Sequence, residues 1–119
     1  MDNIMFNLAR ATWSLPDPGT GEAITIQRSG IIEITTGASG ETNSLADPVK
    51  EGILVGFLLI TDGGGDRVIT AASAINQSGN TVITLNDAGD FIMLISVKYG
   101  ATKGAYRWKV LSTDGPTLS

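Results

Sequence analysis

A chain of 119 residues with no histidine and no cysteine lacks the usual neutral-pH general base, thiolate nucleophiles, disulfides and every zinc site with sulfur ligands. Eight Lys and Arg stand against twelve Asp and Glu, for a net charge of -4 and no basic run, which disfavours nucleic-acid binding because that needs clustered cations to displace counterions. The longest apolar run, Ile53 to Ile60, is far below the roughly 20 residues that cross a bilayer as a helix, so no membrane partner is expected.

The N-terminal MDNIMFNLAR has an acidic second residue and no basic leader, unlike a secretory signal. Asp2 can cap a short helix through Ala11, with Ile4, Met5 and Leu8 on one stripe and Phe6 off it. SLPDPGTG follows, with two prolines and two glycines, the composition of a linker. Residues 1–22 therefore read as an arm and linker, and residues 23–119 as the folded domain. Ile4, Met5, Phe6, Leu8 and Trp13 give the arm too much apolar surface for a solvated tail, which makes them the candidate partner-binding residues. The arm is expected to dock on its own domain, on a neighbouring copy or on another protein.

From residue 23 onward, β-branched segments alternate with Gly, Asn, Asp and Ser. They are AITIQ (23–27), IIEITT (31–36), ILVGFLLI (53–60), RVITAAS (67–73), TVITL (81–85), DFIMLISVKY (90–99) and YRWKVL (106–111). ETNSLADP (41–48) can add a short strand that Pro48 ends. No stretch keeps a 3.6-residue apolar period for three turns. About seven or eight short strands at this spacing predict an all-β fold, a compact antiparallel barrel, sandwich or jelly roll with an N-terminal arm. In YRWKVL, Tyr106, Trp108 and Val110 share one face and Arg107, Lys109 and Leu111 the other. ILVGFLLI is apolar on both faces, which suits a central strand or one covered by another subunit.

Three functions compete for TDGGGDRVIT (61–70). A phosphate loop would open a helix and carry a lysine, whereas this loop enters a β-branched segment between two carboxylates. Calcium could use Asp62 and Asp66, and Asn86, Asp87 and Asp90 recur in NDAGD, but the EF-hand spacing with its closing glutamate is missing. A hairpin turn is the reading adopted, with glycines supplying positive φ and the aspartates bonding the turn's own amides. QSGNT (77–81), NDAGD (86–90) and STDGP (112–116) read in the same way. Nothing in the pattern brings two of Glu22, Glu33, Glu41 and Glu51 across one cleft, as glycoside hydrolysis requires, and Trp108 reads as a core anchor. No catalytic residue, metal or cofactor is expected.

The block TDGGGDRVITAASAINQSGNTVITLNDAGDFIMLISV and the closing RWKVLSTDGPTLS resemble the small β-rich virion structural proteins of tailed bacteriophages, in which such turns follow in this order. The resemblance implies a non-enzymatic head decoration or cement protein on the outer capsid surface, a homotrimer whose partner is the major capsid protein. The alternative it leaves is a tail-fibre or appendage domain that binds host glycans, which would show a groove with an exposed Trp or Tyr.

Overall fold

The computed structural model describes residues 14–101 and 104–119. The strands among them are β1 (Ser14–Leu15), β2 (Ala23–Ile24), β3 (Gly30–Thr35), β4 (Glu41–Leu45), β5 (Leu54–Thr61), β6 (Arg67–Ala71), β7 (Val82–Leu85), β8 (Phe91–Lys98), β9 (Tyr106–Asp114) and β10 (Thr117–Leu118). They form two five-stranded sheets, ordered β1-β3-β5-β8-β9 and β10-β7-β6-β4-β2. The all-β expectation holds, and so does the reading of ETNSL as a strand, but the seven or eight strands expected become ten, because the segment read as linker supplies β1 and the C-terminal Thr117–Leu118 supplies β10. No closed barrel forms among the described residues.

The antiparallel expectation is corrected. The chain alternates between the two sheets over β1 to β6, so each strand pairs with the one two places on, in parallel: β1 with β3, β3 with β5, β2 with β4 and β4 with β6. This half of the chain winds as three coils, β1-β2, β3-β4 and β5-β6. Antiparallel pairing takes over afterwards, in β6-β7, β5-β8, β8-β9 and β7-β10. The segment SLPDPGTG, read as linker, belongs to the first coil: Ser14 and Leu15 pair with Ile31 and Ile32, and the Gly21 amide donates to the Thr42 carbonyl at 2.7 Å.

Period-two alternation fills the space between the sheets. Ile32, Ile34, Val55, Phe57, Leu59, Ile92, Leu94 and Trp108 come from one sheet, and Ile24, Leu45, Ile69, Ala71, Ile83 and Leu85 from the other, all buried in one core. Trp108 is the core anchor expected of it, and its indole Nε1 donates to the Ala46 carbonyl at 2.9 Å. Tyr106 to Leu111 keeps the anticipated split, with Trp108 buried, Val110 packed on the core, and Lys109 and Leu111 exposed.

TDGGGDR is not a hairpin, because β5 and β6 lie in different sheets. It is the corner of the third coil, stacked on the second coil's corner at residues 36–40. The Gly65 amide donates to the Gly37 carbonyl at 2.8 Å, and the Gly63 amide to the Thr36 hydroxyl at 3.1 Å. A Cβ on Gly63 would stand 2.2 Å from the Thr36 carbonyl oxygen, and one on Gly65 2.0 Å from that of Ser39. Two of the three glycines therefore serve close backbone approach, and Gly64 alone uses a positive φ, 111°. Asp62 does bond its own turn, accepting from the Gly64 amide at 2.8 Å. NDAGD and STDGP likewise carry the chain from one sheet to the other, while QSGNT lies within the β6-β7 hairpin loop.

Gly65→Ala is expected to destabilise the fold by about 2–3 kcal/mol through overpacking against backbone that cannot retreat. Gly40→Ala, where a Cβ would meet nothing within 4 Å, should stay within about 0.5 kcal/mol of wild type. Urea unfolding of the two variants checks this, and equal midpoints would contradict the stacked-corner account.

Candidate functional site

Arg67 begins β6 on its inward face, in line with Ile69 and Ala71, and is 1% exposed. Burying a guanidinium is costly unless its donors are paired, and here they are. Nη1 donates to Asp17 Oδ1 at 2.9 Å and Asn43 Oδ1 at 3.0 Å, and Nη2 to Asp17 Oδ2 at 3.2 Å. Nε and Nη2 both reach Glu41 Oε1, at 3.0 and 2.7 Å. The partners come from all three coils: Asp17 from the first, Glu41 and Asn43 from the second, Arg67 from the third. Asn43 extends the network by donating to the Gly19 and Glu22 carbonyls at 2.7 and 2.9 Å.

The electrostatics follow from that geometry. Burial would raise the Asp17 pKa, but the Arg67 hydrogen bonds, the Gly19 amide and the Arg67 charge outweigh it and hold the carboxyl below its ordinary value. The Gly37 amide, then Arg67, lowers that of Glu41. Arg67 is pushed up because its two carboxylates outweigh its own burial. Both acids are held below their ordinary pKa values by the cation they share, and the cluster clamps the three coils together.

The acidic turns are self-satisfied in a similar way. Asp90 Oδ2 accepts the Asn86 and Asp87 amides at 3.0 and 3.1 Å, and among the described residues no group of three or more acids is placed to hold a metal ion. Of the four glutamates, Glu41 is bound to Arg67 and Glu33 stands exposed on the outer face of its strand.

The outer faces of the two sheets differ. On the sheet containing β5, cross-strand rows run Ile31, Gly56, Met93 and then Glu33, Leu58, Phe91, with Leu54 beside Ile95. A Cβ on Gly56 would lie 2.9 Å from a Phe91 ring carbon, so that ring lies across the glycine and levels the surface. Ile60 and Leu111 add 46% and 58% exposed side chains. On the other sheet the corresponding rows are Thr42, Val68, Thr84, Thr117 and Ser44, Thr70, Val82, which is ordinary solvated strand surface.

A groove of 600 Å³ lies between the 73–79 connection and the neighbouring ends of β8 and β9, with Lys98, Tyr99, Arg107 and Lys109 in its lining. Arg107 sits 4.6 Å from the centroid of the Tyr99 ring. The sequence separated these residues from Gln77 on the opposite wall, and only the tertiary fold brings them together. The arm residues Ile4, Met5, Phe6, Leu8 and Trp13 lie outside the described residues; the chain enters the fold at Ser14, on the edge of the apolar sheet beside Ile31.

No protein-family model, curated protein or solved structure matches the chain.

Arg67→Ala should cost about 3–5 kcal/mol by leaving its acids without their cation, read by chemical denaturation. Asp17 and Glu41 have folded pKa values below their unfolded ones, so their contribution is full above the unfolded carboxylate range and is lost as pH falls through the folded values. Wild-type unfolding free energy should therefore begin to fall below about pH 5, and the slope there should be shallower in Arg67→Ala. Identical pH profiles would contradict the clamp.

Proposed function

We propose that the protein is a virion structural component, a bacteriophage head decoration or cement protein that binds the outer capsid surface as a homotrimer and stabilises it without catalysis. The observation that carries the reading is the contrast between the two outer faces. An apolar surface built on three adjacent central strands costs solubility unless another surface covers it, and permanent interfaces are apolar in this way. The order of turns along residues 61–119 supports the virion class by resemblance. Self-association would use the face centred on Leu58, Met93 and Phe91, and closed rotational symmetry would repeat it in each subunit. The arm, anchored beside Ile31, would then reach the major capsid protein with Met5, Phe6 and Trp13.

A second reading, a tail-fibre or appendage domain that binds host glycans, is favoured by the groove and its 59% exposed Tyr99. Electron microscopy of the particle, locating the protein on head or tail, separates the two.

Light scattering should give a trimer for the wild type and a monomer for Leu58→Asp with an unchanged β-sheet circular dichroism spectrum. Deleting residues 2–13 should leave the fold intact and abolish capsid binding in a co-sedimentation assay. A monomeric wild type would remove the proposed interface, and a truncated form that still decorates heads would remove the arm's role.

A further inference from the structure

We propose that the groove beside Tyr99 binds a sugar bearing a carboxylate, such as a uronic or sialic acid unit of a glycan; this deepens the glycan-binding reading and rests on it. The chain is acidic overall, yet three of its eight Lys and Arg, namely Lys98, Arg107 and Lys109, line this one recess. The single carboxylate ion-paired to them among the described residues is Asp47, 3.3 Å from Arg107 Nη1, so the recess stays net positive. Its volume falls within the range of roughly 300–1,000 Å³ typical of small-ligand sites.

Arg107 supplies the specificity. Both of its hydrogen bonds among the described residues use Nη1, to Asp47 Oδ2 at 3.3 Å and to the Tyr106 carbonyl at 2.9 Å. Asp47 is itself held by the Ser73 hydroxyl at 3.1 Å, and the guanidinium lies over the Tyr99 ring. The head group is thereby fixed on one edge and one face, and its Nε and Nη2 edge makes no hydrogen bond to a described residue. That edge presents two parallel N–H donors at the spacing of a carboxylate's oxygens, the arrangement that binds bidentately. The exposed Tyr99 ring offers an apolar platform for the C–H face of a sugar ring. The Gln77 side chain, exposed on the opposite wall, can both donate to and accept from hydroxyls. A nucleic-acid strand fits less well, because its affinity depends on many phosphate contacts and the chain carries a net charge of -4.

NMR titration of the full chain tests the assignment, following the Arg107 Nε–H and Gln77 side-chain amide signals. The probes are D-glucuronate, N-acetylneuraminate, D-glucose and inorganic phosphate. Glucuronate or N-acetylneuraminate should shift both signals, glucose neither, and phosphate the arginine alone. Arg107→Lys, which keeps the charge but not the fork, should weaken the acidic-sugar response roughly ten-fold or more. Phosphate moving both signals as the acidic sugars do would reduce the groove to an anion site and overturn the proposal. Undiminished binding by a folded Arg107→Lys would overturn the role of the fork. Response to glucose alone would overturn the carboxylate while leaving glycan binding in place, and silence toward every sugar would remove both.

Discussion

Three coils that stack in parallel meet at their corners, and one buried guanidinium holds those corners together. A guanidinium has five N–H donors in a rigid plane, and Arg67 directs them to groups contributed by Asp17, Glu41 and Asn43. A lysine in its place would carry the charge without the geometry. The glycines of the third corner answer the same constraint from the backbone side. Corners close enough for one arginine to span are close enough for carbonyl oxygens to occupy the space of a Cβ, which is why Gly63 and Gly65 face Thr36 and Ser39 with no side chain between. The Asp-rich loop and the buried arginine are thus one joint, and Asp17 and Glu41, drawn into it, are held below their ordinary pKa values.

Fixing the corners also fixes which side chains face outward. Once register is set, period-two alternation gives each sheet an outer face with no further choice. One sheet places Thr42, Ser44, Thr70 and Thr84 there, with Val68 and Val82 between them, and the other Ile31, Leu58, Met93 and Ile95. The same backbone in the same molecule tolerates polar strand surface perfectly well, so the apolar face is not a by-product of building strands. Glu33 is the one charge that these rows carry on the three central strands, with Asp114 beside Phe91 on the edge strand β9, and the cations of that sheet, Lys98, Arg107 and Lys109, gather near its β8-β9 end.

The strands were legible in the sequence because alternation and Gly, Asn and Asp punctuation are local. β3 to β9 fall close to the segments they mark, and Tyr106 to Leu111 divides between core and solvent as its pattern requires. What escaped was the pairing. The register partners Leu15, Ile32 and Phe57 follow one another at unequal intervals, so the coils leave no fixed repeat to detect, and a glycine-rich corner has the composition of a hairpin. Prolines and glycines made Ser14 to Gly21 resemble a linker, although extended backbone of that kind also suits a coil edge. Arg67 shares its inward face with Ile69 and Ala71 in plain view, but acids that neutralise it lie far along the chain at Asp17 and Glu41. Arg107 and Lys109 were visible as one polar face, whereas Tyr99 and Gln77 join them only through the fold.

The two candidate surfaces are centred toward opposite ends of one sheet and meet where Ile95 pairs with Lys109. Phe91 opens β8 and Lys98 closes it, a distance of about 24 Å at the usual rise of an antiparallel strand. Subunits packed through the Leu58 and Phe91 end would therefore leave the Tyr99 end at the rim of the assembly. Each copy would bring its own groove, and grooves held at fixed spacing on one particle convert weak single-site binding into avidity wherever a glycan surface can engage several at once. Were the apolar face to join copies of the chain as proposed, it would also set the geometry in which the proposed grooves act together, and weak binding at each of them would suffice.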